Sequence, residues 1–376
     1  MDRAQFTSSI KEKARELGFN LIGISPVDSF PENQFYKEWL NKGFSGEMAY
    51  LERNPEKRED IQNVLPGAKS VISCAMNYNT DYPYSIEKTD KTKGWISRYA
   101  WGDDYHDTIK DGLKILMDYI SSEFSDEVKS KLYVDTGPVL ERTYGKYAGV
   151  GWVGKNTCLI NQEIGSWIFL GEIITNIELE YDTPAPDRCG TCTRCIDACP
   201  TDAIIEPYVL DSRLCISYLT IELKDKIPSE LREGVQNNIY GCDICQDVCP
   251  WNKRAHVSDK TEFQPREDLF NPDLSYISKL TVEEFRKQFK GSPIKRTKRR
   301  GLLRNAVVAM GNSGEKDFIP YIRECLGDEE PLIRAHAVWA LWKIEGGQAK
   351  NILVSHMKTE TDEMVNDEID DILSSI

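Results

Sequence analysis

With 376 residues, 40% of them hydrophobic and 29% charged, the chain has the make-up of a globular protein of two or three domains. Its net charge of −14 excludes a chain that coats nucleic acid non-specifically, while leaving room for a local basic surface. The first residues mix acids and bases without an apolar core of signal-peptide length, and no stretch reaches the ~18 continuous apolar residues of a membrane span, so a cytoplasmic location away from membranes is expected.

Residues 6–17 place Phe6, Ile10, Ala14 and Leu17 on one helical face, and Gly18 closes that helix. Leu21–Ile24 and Val71–Met76 read as buried strands. From about Tyr105 to Phe124, Ile109, Leu113, Leu116 and Ile120 recur at helical spacing. Lys131–Val134 is a further strand, running into the turn Asp135-Thr136-Gly137-Pro138 and then a helix. Thr157–Ile160 and Ser166–Ile174 are expected to form a β-hairpin around Gln162–Gly165. Gly149-Val150-Gly151-Trp152-Val153-Gly154, followed by Lys155-Asn156, imitates a nucleotide loop. The order of elements is wrong, however, with a helix before and a strand after, and Asn156 stands where a phosphate loop needs Ser or Thr. The glycines predict instead close backbone approach to something flat or bulky.

Residues 1–180 are thus expected to form a mixed α/β domain, closed by the Pro-rich link Asp182-Thr183-Pro184-Ala185-Pro186. A cysteine segment fills 181–256, and 257–376 turns helical. There, Ala306-Val307-Val308-Ala309-Met310 and Ala337-Val338-Trp339-Ala340-Leu341 lie 31 residues apart with Pro320 and Pro331 between them, the pattern of a short HEAT-type repeat run that must pack on the rest of the protein.

Eleven cysteines in such a chain point to metal or redox chemistry rather than disulfides. Cys189-x2-Cys192-x2-Cys195-x3-Cys199-Pro200 is a complete bacterial ferredoxin run, in which three cysteines wrap one cubane and the fourth reaches the other. The second run, Cys242-x2-Cys245-x3-Cys249-Pro250, has Ile239 where its opening cysteine belongs, and Cys215 is the natural substitute. Counting assigns Cys189, Cys192, Cys195 and Cys249 to cluster one and Cys199, Cys215, Cys242 and Cys245 to cluster two, both [4Fe–4S]. Structural zinc, which pairs CxxC knuckles across a long spacer, does not match this spacing. Cys74 and Cys158, in predicted strands, and Cys325, in a helix, are left as small buried hydrophobes. From Arg286 to Arg304 nine basic residues occur without an acid, and Lys295, Arg296, Lys298, Arg299, Arg300 and Arg304 are candidates for a phosphate-binding stripe.

Arg98-x-x-Trp101-Gly102-x-Asp104-Tyr105-His106, Val134-Asp135-Thr136-Gly137-Pro138 and Gly154-Lys155-Asn156, followed by the asymmetric double-cubane segment and the HEAT-like end, together resemble the epoxyqueuosine reductase family over nearly the whole chain. The resemblance implies a cobalamin-binding α/β (α+β) domain similar to those of reductive dehalogenases and flavin nitroreductases. It implies reduction of the epoxide of epoxyqueuosine at the tRNA wobble position to queuosine, the last step of queuosine biosynthesis, by cob(I)alamin fed from two [4Fe–4S] clusters. The substrate would be a tRNA anticodon stem-loop, and the basic stripe its docking surface. Asp135 is implied as proton donor, needing a pKa raised by burial, although it is equally placed to cap the helix that follows. Arg58, Arg98, Asp135, Lys155 and Asn156 match family positions near the cobalamin, and Ser217 one close to cluster two. Asp104-x-His106 starts like the Asp-x-His-x-x-Gly signature of base-off cobalamin proteins, but Ile109 replaces its glycine. Cobalt without a histidine ligand is therefore expected, and His106 reads as an ordinary helix-start residue. A reductive dehalogenase, a plain ferredoxin-type carrier and a flavin enzyme acting on tRNA are the competing readings. Nothing in the sequence demands more than a monomer or names the electron donor.

Overall fold

The computed structural model describes residues 2–87, 89–124 and 127–374. At its N-terminal end lies a four-stranded antiparallel sheet of β1 (Leu21–Pro26), β2 (Ser70–Asn77), β3 (Ser130–Tyr133) and β4 (Ile168–Thr175), in the spatial order β1-β2-β4-β3. β2 and β4 are central, which explains why they are buried along nearly their whole length rather than at alternate residues. Pleat alternation sends Ile72, Cys74, Met76, Phe169 and Ile173 to one face. There α1 (Arg3–Glu16) and α2 (Tyr105–Glu123) bury Phe6, Ile10, Ile109, Leu113, Leu116 and Ile120. The opposite face, with Val71 and Ile174, is covered by α3 (Glu141–Tyr147) through Tyr144. Asp2 starts α1 with a full capping box, and Asp104 caps α2 through the His106 N–H.

The expected hairpin does not form. Leu159–Ile160 pairs with Trp152–Val153 in a two-stranded ribbon, while β4 is taken up between β2 and β3; only the bridge Asn161↔Gly165 joins the two segments. The close glycine approaches are likewise to the chain itself. A Cβ on Gly151 would stand 2.3 Å from the Ile160 carbonyl oxygen, and one on Gly149, at φ +73°, 2.7 Å from that of Thr183.

Five helices end the chain: α4 (Lys298–Ser313), α5 (Ile319–Cys325), α6 (Pro331–Glu345), α7 (Lys350–Met357) and α8 (Glu363–Ser374). The two look-alike stretches sit in α4 and α6, which are buried against each other. Trp95, Ile96 and Trp101 join this C-terminal core, and Trp95–Ile96 pairs in parallel with Asn238–Tyr240 of the cysteine segment. Two polar anchors fix that segment. Arg232 makes a bidentate pair with Glu368 of α8, at 2.5 and 3.0 Å, with both side chains nearly inaccessible. Arg304 of α4 donates to the Leu219, Leu223 and Asp225 carbonyls, and Asn305 to those of Thr220 and Ile239. These contacts hold the π-turn Tyr218–Glu222 that follows Cys215. Among the described residues no helix is long and apolar enough to cross a membrane.

Candidate active site and cysteine clusters

Folding gathers the cysteines into the two expected groups. Cys189, Cys192, Cys195 and Cys249 line one cavity of about 260 Å³, together with Lys155, Asn156 and Trp251. Burial is the chief reason that the Cys215 and Cys242 thiols are pushed up, and Cys199 pushes on both, placing these three within reach of one another. Cys245 is pushed up first by a hydrogen bond with Cys158, then by burial and by Cys242 and Cys215. Among the described residues no three such side chains close on one point as a single ion requires. The thiols of the first group instead surround a volume, as a cubane needs.

Cys74 and Cys325 are buried as expected, but Cys158 is not a strand residue: it precedes Leu159–Ile160, is only half-buried, and has its thiol beside Cys245, which holds it down at about 7. Ser217 approaches the Cys215 sulfur through both its backbone and its hydroxyl.

A larger cavity of about 830 Å³ opens between the sheet and the cysteine segment. Tyr78, Tyr105 and Phe169 form its sheet-side wall, Tyr99 and Tyr240 its cysteine-side wall, and Tyr240 precedes Cys242 by two residues. Asp135 lies on its rim in the left-handed region, at φ 57°, with its carboxylate accepting the Tyr105 O–H at 2.9 Å and lying 3.6 Å from His106 Nε2. Behind His106, Nδ1 is 2.7 Å from Asp104, which also pairs with Lys295 at 2.8 Å. A chain of Lys295, Asp104, His106, Asp135 and Tyr105 therefore runs along the rim. The Asp135 N–H is taken by Glu141 Oε1 at 2.6 Å, so Asp135 does not cap α3; Leu140 occupies that position without a side-chain bond.

Burial works against the charge of Asp135, but the neighbouring His106 ring and the Tyr105 hydrogen bond outweigh it and hold the carboxyl below its ordinary range. The expected upward shift is absent, because its partners favour the anion. Burial opposes the imidazolium of His106, yet the bond to Asp104 and the nearby Asp135 carboxylate carry it up to about 9. Burial, followed by the Asp135 charge, keeps Tyr105 a neutral phenol. At pH 7 the proton of this constellation rests on His106. Proton-detected NMR of the His106 ring is accordingly expected to report imidazolium through pH 7.5, titrating near 9. Since the folded value lies above the unfolded one, the stabilisation is present at neutral pH and lost as pH rises through about 9. A midpoint near the model-peptide 6.5 would contradict the pairing with Asp104 and Asp135.

Several expected contacts fall elsewhere. Arg98 is 1% exposed, its terminal nitrogens consumed by Thr80, Tyr82 and Pro83, so it braces that segment instead of meeting a ligand. Lys155 donates to the Gly190 and Cys192 carbonyls and Asn156 to that of Cys245, placing both between the cysteine groups and away from the large cavity. Arg58 donates to the Tyr50 and Arg53 carbonyls and borders a side chamber of about 550 Å³ that shares Tyr50, Asp135 and Arg296 with the large cavity. In the basic stripe, Arg304 is fully buried on carbonyl oxygens and Arg299 is engaged by Asp328 and the Leu280 carbonyl, so neither presents its charge to a phosphate. Lys295 and Arg296 stand at the cavity mouth, Arg296 paired with Glu222 and over the Tyr50 ring, and Lys298 and Arg300 continue outward. No sequence pattern singles out Glu141; His106 and Cys158 read in sequence as an ordinary helix-start residue and a buried hydrophobe, and Tyr105 enters only within a family motif.

Residues 188–252 match the family model for a 4Fe-4S double cluster binding domain, 58–136 that for epoxyqueuosine reductase QueG, DUF1730, and 296–370 that for HEAT repeats. An epoxyqueuosine reductase of Leadbetterella byssophila is 47% identical over 301 residues, spanning 80% of this chain and 97% of its own. The chain belongs to the epoxyqueuosine reductase family. Two solved members carry the likeness into three dimensions. An epoxyqueuosine reductase crystallised with a tRNA-Tyr epoxyqueuosine-modified stem loop overlays with a TM-score of 0.91 at 32% identity, covering 98% of both chains. The Bacillus subtilis family member, captured with its catalytic aspartate loop swung out of the active site, overlays at 0.89, again with 32% identity and 98% coverage of both chains. The N-terminal α/β layer, cysteine segment and helical end are thus those of this family, and the dehalogenase and plain-carrier readings fall away as readings of the chain's family.

Proposed function

We propose that this chain reduces the epoxide of epoxyqueuosine in a tRNA anticodon stem-loop to the alkene of queuosine, releasing water, with cobalamin in the large cavity and two [4Fe–4S] clusters in the cysteine segment. The observation that carries the reading is the placement of Asp135 on the rim of a cavity whose far wall, at Tyr240, adjoins the Cys242 end of the cysteine groups. Its volume of about 830 Å³ is toward the upper end for small-molecule sites, and its aromatic walls suit a broad, flat ligand. When bound, cobalamin supplies the low-potential electron pair that epoxide removal consumes, gathered from clusters that pass electrons singly. Tyr78, Tyr99, Tyr105, Phe169 and Tyr240 would hold it.

Epoxide removal breaks two C–O bonds, forms one C=C bond and takes up two electrons and two protons. Asp135 would deliver a proton to the departing oxygen. It takes that proton from the His106 imidazolium, while the Tyr105 O–H fixes the carboxylate's direction. Covering the cavity with corrin and base removes water from Asp135 and raises its pKa toward the working range. The swung-out aspartate loop of the Bacillus subtilis relative fits a donor that must leave to admit substrate.

Lys295, Arg296, Lys298 and Arg300 would take the phosphates flanking the splayed base, so that affinity falls with salt. Charge reversal at Lys298 and Arg300 is expected to lower stem-loop affinity and reduce its salt slope by about one per lost phosphate contact. Fluorescence anisotropy at roughly 50–200 mM salt measures both. An unchanged slope would take phosphate binding away from this surface.

A further inference from the structure

Asp135 is a side-chain-bearing residue held in the left-handed region at φ 57°, within a turn tightened by the Thr136 N–H to Val134 carbonyl bond of 2.6 Å. Something must keep it there, and the bond on its own amide comes from Glu141, at the first turn of α3. Behind Glu141 lies Glu172 on the central strand β4. Glu172 is 0% exposed, and neither of its carboxyl oxygens receives a hydrogen bond from an N–H or O–H donor. Strand alternation directs it to the sheet face that α3 covers, where the Glu141 carboxyl acts on it both by charge and as a hydrogen-bonding group. A buried acid without a cation partner is tolerated only if it is protonated or shares a proton.

We propose that Glu141 is a positioning residue for Asp135, acting as a catch: its carboxyl receives the Asp135 N–H on one side and shares a proton with Glu172 on the other, tying the donor loop to the rigid centre of the sheet. The proposal rests on the reading of Asp135 as proton donor given above. Burial, then the Asp135 charge, pushes Glu141 up to about 8, and burial followed by Glu141 pushes Glu172 well up, so the pair keeps a proton at neutral pH. The groups facing it are Asp135, Tyr105 and Arg142 around Glu141, and Cys74, Tyr144 and Asp135 around Glu172; of these Arg142 alone is a cation. Loss of the shared proton sets two carboxylates against each other in a dry interior and opens the catch.

The test compares Glu141→Ala, Glu141→Gln and Glu172→Gln in the full chain, each alongside Asp135→Asn. Hydrogen–deuterium exchange of the peptide spanning 133–140 is read without cofactor or RNA, and single-turnover reduction of an epoxyqueuosine stem loop is read with clusters and cobalamin loaded. Glu141→Ala is expected to speed exchange at the Asp135 loop and slow turnover by about 10²-fold, the scale of a misplaced catalytic group, with stem-loop affinity retained. Glu141→Gln keeps an acceptor oxygen and restores most of both. In the unsubstituted chain exchange at the loop accelerates as pH rises through about 8, and Glu172→Gln abolishes that acceleration. Unaltered loop exchange in Glu141→Ala, or a glutamine as damaging as alanine, overturns the catch. Full turnover by Asp135→Asn with the exchange results as expected would instead leave the catch standing and remove the proton-donor reading.

Discussion

Asp135→Asn is expected to slow single-turnover epoxide reduction by about 10²–10⁴-fold, the usual worth of a positioned general acid, while cobalamin content and stem-loop affinity stay as they were. Asparagine preserves the shape of the side chain and can still accept the Tyr105 O–H, so the left-handed turn and its bond to Glu141 should survive. What disappears is the transferable proton and the charge that holds the His106 imidazolium. The same substitution should therefore lower the His106 pKa from about 9, leaving Asp104 as its remaining carboxylate partner. A full rate with cofactor bound would place proton delivery elsewhere.

Cys215→Ser has the second large effect. Each cubane carries four irons on four thiolates, so anaerobically isolated protein should fall from about eight irons to about four, and delivery of electrons to the large cavity should stop. Cys215 is the proposed ligand that lies outside both compact runs, held by the π-turn that Arg304 and Asn305 clamp from α4. Cys325→Ser, distant from both groups, should leave the iron count unchanged. Retention of about eight irons in Cys215→Ser would mean that another thiol completes cluster two, and Cys158, already beside Cys245, would be the candidate.

The sequence was most legible where chemistry dictates spacing. Three cysteines at x2-x2 intervals can wrap a cubane on local geometry alone, and counting then points to Cys215, which the fold brings near Cys199 and Cys242. Helical periodicity likewise located α1, α2, α4 and α6, whose apolar faces are buried as expected. Residues fixed by partners distant in sequence were not legible. Nothing near His106 announces that Asp135, 29 positions on, will lie 3.6 Å from its ring, and nothing near Glu141 announces Glu172. Buried arginines misled for a related reason. Arg98 and Arg304 look like surface cations in sequence, but carbonyl oxygens of neighbouring segments, with the Thr80 hydroxyl for Arg98, take their terminal guanidinium nitrogens in place of a salt bridge. The hairpin expectation failed because a glycine turn at Gly165 is local whereas the choice of strand partner is not; β4 gains more by pairing on both edges with β2 and β3.

The most direct test of the account is conversion of an epoxyqueuosine stem loop by the anaerobically reconstituted chain under a strong one-electron reductant, with and without cobalamin. Queuosine formed only when about eight irons and one corrin are both present is the predicted result. Conversion without cobalamin, or a fully iron-loaded chain that neither retains cobalamin nor forms queuosine, would contradict it.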